Sequence, residues 1–185
     1  MPLALEIRRL SQQDCYPDFR SGSDHLDAFY KCYAKQQEAR QMSATFVARA
    51  SEVVVGFVTI TPTSVPSAPL KAHVRGLSSF PAPVLLLARM ATDARFQRQG
   101  VGAQLLRDVV FVRALTLADE YGCVGIYVDP KLDAVAFYAK HDFSVLPTPA
   151  VPPPMFLPIG TVRLAMEGAL ADTRLAPASN TAAPR

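Results

Sequence analysis

The spacing of hydrophobic and polar positions along the chain follows two periods, one typical of strands and one typical of helices. Alternating or continuously apolar runs predict strands at residues 3–10, 45–49, 53–60, 84–92, 123–128, 143–146 and 160–166. Apolar residues at helical spacing predict helices at residues 25–42, 103–121 and 134–140. Because strands and helices alternate along the chain, we expect one mixed α/β sheet with helices packed on it.

Three segments show no clear periodic spacing of hydrophobic residues. Residues 61–80 contain several prolines and serines and are predicted to form a mobile surface loop, whose length suggests a functional role. Residues 147–158 contain six prolines, which predicts a stiff, extended connection. Residues 167–185 are rich in Ala, Pro, Ser and Thr, so we expect a domain at residues 1–166 followed by a disordered tail at 167–185.

Composition narrows the class of protein. A chain of 185 residues fits one domain, and its three cysteines, Cys15, Cys32 and Cys123, lack the spacing of a zinc site or a disulfide framework. The net charge of +3 permits an anionic ligand without requiring one. No apolar run reaches the ~18 residues of a membrane helix, and the N-terminus lacks the pattern of a signal peptide. We therefore expect a cytoplasmic protein with no membrane partner and no metal cofactor.

The strongest local pattern is the passage from the strand at 84–92 through a basic turn into the next helix. Gly100 and Gly102 allow successive backbone N–H groups to point into one concavity, to which the helix adds its positive end. Such a turn binds a pyrophosphate, and Arg98 can supply a charge-assisted contact. The pattern is neither Gly-x-x-x-x-Gly-Lys-Ser/Thr nor Gly-x-Gly-x-x-Gly, since position 105 is Leu. On these residues alone, a turn that needs its two glycines only for conformation is an equal alternative.

A wider pattern separates these alternatives. Gln97-x-x-Gly100-x-Gly102 follows a strand, and Ala136-Phe137-Tyr138 and Phe143 come further along the chain. This arrangement resembles the GNAT acetyltransferase family, and the resemblance spans residues 5–166. It implies a GNAT fold, with a single mixed, mostly antiparallel sheet of six to seven strands, a central splay and helices on both faces. It also implies acetyl-coenzyme A as the co-substrate.

By this resemblance, acetyl-coenzyme A contacts the end of the central strand and the phosphate turn. The implied coenzyme-binding residues are Met90, Ala91, Thr92, Gln97, Arg98, Gln99, Gly100, Val101, Gly102 and Ala103. Tyr138 takes the position of the family's general acid, next to the departing sulfur. The chain departs from the family at Asp142, where Gly is frequent, and at Asp129, near a position where many members have Asn.

The N-terminal part resembles one branch of that family. Phe19-Arg-Ser-Gly22 and Leu26-Asp27-x-Phe29, together with Thr45-Phe46-Val47 and residues 84–93, look like the signature of GNAT toxins of toxin–antitoxin pairs, with Ser21 where these often have Cys. Such toxins acetylate the α-amino group of aminoacyl-tRNA and so block translation. The resemblance thus implies aminoacyl-tRNA as the substrate, a small antitoxin as a partner, operator DNA bound only through the antitoxin complex, and a homodimer.

The chemistry of that substrate is consistent with the residues. An α-amine has a pKa of about 7.7–8.0, against about 10.4 for a lysine side chain, and a neighbouring ester lowers it further. A neutral fraction therefore exists at neutral pH without a strong general base. The resemblance implies that Tyr138 protonates the leaving sulfur and that transfer takes place directly in a ternary complex. The residues assigned to tRNA binding are Lys31, Lys35, Arg75 and Arg89, for which a solvated basic face is the alternative.

Two other functions remain open on the sequence alone. The first is a GNAT enzyme that acetylates a small-molecule amine or a protein N-terminus, which would turn over free amines without arresting growth. The second is a non-catalytic acyl-coenzyme A binding or regulatory module, which would bind its ligand without turnover and would be indifferent to Tyr138→Phe.

Overall fold

The computed structural model of the protein describes residues 4–14 and 16–175. Within these residues, the strands are β1 (Glu6–Arg9), β2 (Ala44–Ala50), β3 (Val53–Val65), β4 (Ala82–Thr92), β5 (Gly125–Val128), β6 (Ser144–Val145) and β7 (Met155–Pro158). The α-helices are α1 (Asp24–Ala28), α2 (Ala34–Ala39), α3 (Val101–Leu105), α4 (Val112–Glu120), α5 (Val135–Lys140) and α6 (Ile159–Leu175). π-Helical segments at Phe29–Tyr33 and Leu106–Phe111 join α1 to α2 and α3 to α4, so each pair forms one continuous helix.

The strands form one seven-stranded sheet in the order β1-β2-β3-β4-β5-β7-β6. All neighbouring strands are antiparallel except β4 and β5, which are parallel. A parallel pair requires a long crossover connection, and the continuous helix α3–α4 supplies it. The mixed, mostly antiparallel sheet predicted from the sequence is therefore confirmed.

Helices cover both faces of the sheet because the strand residues alternate between the two faces. On β3, Val58 belongs to the core that packs under α3 and α4, together with Leu105 and Leu106. Its neighbour Phe57 belongs to a second core, which lies under the helix α1–α2 and includes stacked Tyr30, 5.1 Å away between ring centroids. The chain thus has a hydrophobic core on each side of one sheet.

A glycine in β3 sets how closely α3 approaches the sheet. A Cβ atom on Gly56 would lie 2.9 Å from Cγ1 of Val101 and 3.1 Å from Cδ1 of Leu105. Because those distances are shorter than van der Waals contact, only glycine permits this packing. The first turn of α3 is consequently held next to the end of β4, where the predicted phosphate turn lies.

Two sequence predictions about the connections are wrong. Residues 160–166 lie in α6 and not in a strand, and the last strand is β7, inside the proline-rich segment. The apolar run of β7 is buried and pairs with β5, which outweighs the flanking prolines. Helix α6 continues through residues 167–175, and the rest of the predicted tail, 176–185, lies outside the described residues.

The predicted loop at 61–80 is shorter in the structure. Strand β3 extends to Val65, which pairs with Ala82 at the start of β4. The remaining connection contains a 3-10 turn at Ala68–Leu70, and Leu70 is fully buried. Cys32 and Cys123 are free thiols, whereas Cys15 lies outside the described residues. None of the helices in the described part of the chain is long and apolar enough to cross a membrane.

Candidate active site

The sheet opens between its two parallel strands. Strands β4 and β5 pair only from Leu85↔Ile126 to Leu87↔Val128. Beyond this point β4 continues to Thr92, whereas β5 ends and the chain turns away at Asp129. The result is the central splay that the family resemblance implies, with the last part of β4 as one of its walls.

Backbone groups at the end of β4 point alternately towards β3 and into the splay. The N–H of Asp93 donates to a carbonyl of the β3 strand at 2.9 Å, so Ala91, two residues earlier, also faces β3. Met90 and Thr92 therefore direct their N–H and C=O groups into the splay. The Thr92 carbonyl accepts a hydrogen bond from Nε2 of Gln97 at 3.2 Å, which leaves the N–H of Thr92 and both groups of Met90 facing the cleft.

A buried carboxylate fixes the turn that follows β4. The side chain of Asp93 is 1% exposed and accepts hydrogen bonds from Nε of Arg95 at 2.8 Å and from the backbone N–H groups of Arg95 and Arg20 at 3.1 and 3.2 Å. Burial alone would raise the pKa of this carboxyl, but the hydrogen bonds and the charge of Arg95 hold the pKa below its usual value. Asp93 therefore ties the N-terminal segment to the start of the turn.

The turn enters α3 through two left-handed residues. Arg98 has a φ of 61° and Gly100, the N-cap of α3, has a φ of 86°. A Cβ atom on Gly100 would meet no atom within 4 Å, so the space in front of the helix is open. The first N–H groups of a helix have no intrahelical acceptor, and in this orientation they can bind a phosphate. The residues predicted to bind phosphate thus lie around an open helix N-terminus.

Tyr138 lies on α5, on the other side of the splay. It is 5% exposed, and its ring packs edge-to-face against Phe137 and Phe143 at centroid distances of 5.2 and 5.3 Å. Burial raises the pKa of the Tyr138 hydroxyl above its ordinary value, so the group is protonated at neutral pH. Because Tyr138 also lines the cleft, it can donate a proton to a ligand there.

Two further aromatic rings continue this wall. The ring of Phe137 lies 3.4 Å from the position that a Cβ atom on Gly102 would occupy, so α5 packs directly against the start of α3. The imidazole of His141 lies 4.8 Å from Phe137 between centroids. Burial, and then the charge of Lys140, lower the pKa of His141, although Asp142 opposes them. This histidine is therefore neutral at neutral pH.

The loop before α1 forms the third wall. The backbone N–H and the hydroxyl of Ser21 donate to the buried carboxylate of Asp27 at 2.8 and 2.5 Å. The carbonyl of Ser21 accepts from Nε2 of Gln97 at 2.8 Å. The Nζ of Lys131, between β5 and α5, donates to the Ser23 hydroxyl. This loop is consequently bonded to both of the other walls.

Together these walls enclose a cleft of about 1120 Å³. Its volume is sufficient for a large, elongated ligand. The residues predicted from the sequence that line it are Arg89, Met90, Ala91, Thr92, Gln97, Arg98, Gly100, Val101, Gly102, Ala103 and Tyr138. A smaller cleft of about 540 Å³, beside α4, contains none of the predicted site residues.

Four predicted residues do not line the cleft. Gln99 turns away and donates its side-chain amide to the carbonyl of Arg95 at 3.0 Å. Lys35 donates to the carbonyl of Gln12 at 2.6 Å, and Lys31 and Arg75 also lie outside the cleft. Any contact that these lysines and Arg75 make with a substrate is therefore peripheral to the splay.

Arg89 has an unusual environment inside the cleft. Its guanidinium lies 4.1 Å from the centroid of the Phe29 ring, which a π-helical segment presents to β4. Within the part of the chain that the structure describes, Arg89 has no carboxylate partner. A cation that is stacked on an aromatic ring and lacks an anion is suited to bind an anionic substrate.

Comparison with known proteins assigns the chain to a family. Residues 41–145 match the model described as acetyltransferase (GNAT) domain. A curated relative from Mycobacterium tuberculosis, named tRNA-acetylating toxin, is 37% identical over 142 residues, which cover 76% of this chain and 85% of the relative. The chain therefore belongs to the GNAT acetyltransferase family, as the sequence predicts.

Relatives and solved structures that are similar to this chain include proteins named as toxins. The probable toxin TacT from Sinorhizobium fredii is 28% identical over 162 residues, or 80% of this chain and 87% of the relative. A solved bacterial toxin superposes with a TM-score of 0.81 at 22% identity, covering 90% of this chain and 97% of its own. AtaT in complex with acetyl-methionyl-tRNAfMet superposes with a TM-score of 0.76 at 22% identity, covering 88% and 99%. At these identities the superpositions establish the fold.

Proposed function

We propose that the chain transfers the acetyl group of acetyl-coenzyme A to the α-amino group of aminoacyl-tRNA and so blocks translation. The observation that carries this proposal is the position of Tyr138, a buried tyrosine that lines the same cleft as the first turn of α3, which is suited to bind phosphate. Support for the acceptor comes from the Mycobacterium tuberculosis relative, a tRNA-acetylating toxin, and from AtaT, whose complex contains acetyl-methionyl-tRNAfMet.

The groups available in the cleft fit acetyl-coenzyme A. The N–H and C=O of Met90 and the N–H of Thr92 would pair with the amides of the pantetheine arm, in the place of the missing strand. The N–H groups of residues 101–103 would hold the pyrophosphate, and Arg98 would add a charge-assisted contact. The Gln97 amide nitrogen is engaged by two carbonyls, so Gln97 would act by shaping the turn. When bound, the coenzyme supplies an activated thioester carbonyl.

Tyr138 would act as the general acid. As the amine nitrogen bonds to the carbonyl carbon, the carbon–sulfur bond breaks, and the sulfur takes the proton of the Tyr138 hydroxyl. The raised pKa of Tyr138 keeps its hydroxyl protonated until the carbon–sulfur bond breaks. The amine loses its own proton to solvent, which returns a proton to Tyr138. Within the described residues no cysteine lines the cleft, which supports direct transfer without an acyl-enzyme.

The acceptor amine needs little activation. An ordinary α-amine has a pKa of about 7.7–8.0, and the neighbouring ester lowers the pKa of this amine further, so a neutral fraction exists at neutral pH. Arg89, stacked on Phe29 and without a carboxylate partner among the described residues, would bind a phosphate near the acceptor end. Lys31, Lys35 and Arg75 would contact the tRNA further from the reacting atoms.

The assembly state is part of the same proposal. We infer a cytoplasmic homodimer that a small antitoxin neutralises, with operator DNA bound only through the antitoxin complex. Support for the antitoxin comes from the similar fold of an AtaT mutant toxin, solved bound to the C-terminus of the antitoxin AtaR. Support for the DNA comes from the KacTA–DNA complex, which superposes with a TM-score of 0.73 at 22% identity.

The proposal is tested with purified protein, acetyl-coenzyme A and a mixture of aminoacyl-tRNAs. We expect N-acetylated aminoacyl-tRNA from the wild type and a decrease in kcat of about 10²–10⁴-fold for Tyr138→Phe. Tyr121→Phe is the matched control, since Tyr121 is 82% exposed and lies outside the cleft. Acetylation of free amines or of protein N-termini, with aminoacyl-tRNA left unmodified, would refute the proposed acceptor.

A further inference from the structure

Lys131 forms a contact across the mouth of the cleft that its sequence neighbourhood does not explain. Its Nζ donates to the hydroxyl of Ser23, which is the N-cap residue of α1 and lies 108 positions earlier in the chain. Both residues line the cleft. The contact therefore joins the loop after β5 to the loop before α1, over the space between the two halves of the sheet.

The two sides of this contact are held with different strength. The Ser21–Ser23 side is fixed, because Ser21 makes hydrogen bonds to the buried Asp27 and to Gln97. Lys131 is exposed, and Ser23 is its only hydrogen-bond partner within the described residues. A neutral hydroxyl is a weak partner for an ammonium group, compared with a phosphate oxygen. Lys131 is therefore the part of the contact that can exchange its partner.

A second cation, from β4, contacts the same helix. Arg89 stacks on Phe29, which is six residues after Ser23 on the helix that begins with α1. At a rise of 1.5 Å per residue, that separation is about 9 Å along the helix axis. Neither Lys131 nor Arg89 forms an ion pair in the described part of the chain. Two separate cations, Arg89 from β4 and Lys131 from the loop after β5, thus contact the α1 helix and its N-cap residue.

We propose that Lys131 determines the acceptor specificity of the enzyme by exchanging Ser23 for a phosphate group of the acceptor. An acceptor that carries phosphates next to its amine-bearing end gains a charge-assisted hydrogen bond when the contact opens. A free amine or a simple ester loses the Lys131–Ser23 hydrogen bond and gains nothing. The inference rests on the proposed function and names a residue that selects the phosphate-bearing acceptor within it.

The test compares two acceptors that share an amino acid: aminoacyl-tRNA and the corresponding amino-acid methyl ester. For Lys131→Met, we expect the ratio of kcat/KM for aminoacyl-tRNA to kcat/KM for the ester to fall about tenfold. Lys131→Arg should restore most of the ratio, because the charge is kept. The slope of log KM for aminoacyl-tRNA against log salt concentration should fall by about 0.7–0.9 in Lys131→Met. Lys71→Met, exposed and outside the cleft, is the matched control.

The Ser23→Ala variant tests whether Lys131 exchanges Ser23 for a phosphate group or whether the Lys131–Ser23 contact only stabilises the two loops. If Lys131 exchanges partners, this variant frees the ammonium, and the KM for aminoacyl-tRNA stays unchanged or falls. If the contact only holds two loops together, Ser23→Ala reproduces the defect of Lys131→Met, and the inference is overturned. It is also overturned if Lys131→Met affects both acceptors equally. A wild type that acetylates the ester but not aminoacyl-tRNA would instead refute the proposed function itself, before any variant is compared.

Discussion

The ring of Phe137 packs against the backbone of Gly102, with two ring carbons 3.4 Å from the position of a Cβ atom on that glycine. This contact joins α5, which carries Tyr138, to the first turn of α3, which carries the phosphate-binding N–H groups. The distance between the proposed general acid and the phosphate site therefore depends on a small residue at position 102. A methyl group would just fit against the ring, whereas a branched side chain would displace α5 or the turn.

We expect Gly102→Ala to retain coenzyme binding. We expect Gly102→Val to raise the KM for acetyl-coenzyme A by about tenfold, or about 1.4 kcal/mol, which lies within the usual cost of overpacking of about 1–3 kcal/mol. Steady-state kinetics with varied acetyl-coenzyme A measures the effect. Gly160→Val, in α6 where a Cβ atom meets nothing within 4 Å, is the control. Equal KM values for Gly102→Val and the wild type would show that Phe137 does not set this spacing.

The raised pKa of Tyr138 predicts the shape of the pH–rate profile. The acid form is the protonated one, so activity would decline only as pH passes the pKa of Tyr138, which lies above the ordinary value of about 10. The acceptor amine has a pKa no higher than about 7.7–8.0, so its neutral fraction rises with pH and is nearly complete by about pH 9. We therefore expect kcat at saturating substrates to rise to about pH 9 and then to stay level up to about pH 10. A decline near pH 9 that disappears in Tyr138→Phe would contradict this assignment.

Gly125 supports the short strand on which the splay depends. A Cβ atom there would lie 2.5 Å from the ring of Phe156 and would also collide with the carbonyl of Leu157, both on the neighbouring strand β7. Because a backbone carbonyl cannot move aside as a side chain can, Gly125→Ala should lower the free energy of unfolding by about 1–3 kcal/mol or more. Urea denaturation followed by circular dichroism measures the change. Gly168→Ala, on α6 where a Cβ atom meets nothing within 4 Å, should not lower the midpoint of the urea denaturation.

The parts of the site that the sequence predicts are those encoded by neighbouring residues. The strand at 84–92 has a continuous apolar pattern, and Gly100 and Gly102 follow it at a fixed distance, so the strand, the turn and the helix start can be identified together. Tyr138 lies on a different helix, and only the resemblance to a family connects it to the turn. The splay is likewise a property of the family resemblance, since nothing in the sequence of β5 shows that its pairing ends at Val128.

The parts that sequence analysis misses are contacts between distant segments. Ser23 and Lys131 are polar residues in loops, and Asp27 lies in the first turn of a helix. No local sequence pattern marks any of the three as a contact residue. Their roles depend on where the fold brings those loops, which no local pattern encodes. The error at residues 155–166 has a different cause. The prolines around β7 led us to predict an extended connection where the structure has a short buried strand. Over a short window, the apolar residues at the start of α6 fit the period of a strand as well as that of a helix.

The buried carboxylate of Asp93 predicts how stability depends on pH. Its pKa is held below the usual value by hydrogen bonds from Arg95 and Arg20, so the ionised form stabilises the folded state. This contribution is fully present above the unfolded-state pKa of about 3.9 and is lost as the pH falls through the lower pKa of the folded state. Asp93→Asn should therefore lower the free energy of unfolding at pH 7 by about 1–3 kcal/mol, and the difference from the wild type should vanish at strongly acid pH.

Urea unfolding of the wild type and Asp93→Asn at pH 7, 4 and 2.5 measures this dependence, with Asp18→Asn, an exposed carboxylate, as the control. Parallel pH curves for the wild type and Asp93→Asn would contradict the assigned ionisation. Asp93→Asn should also raise the KM for acetyl-coenzyme A, because the same carboxylate fixes the start of the phosphate turn. A loss of stability without any change in that KM would mean that the turn keeps its shape through Gln97 alone, whose amide bonds the carbonyls of Ser21 and Thr92.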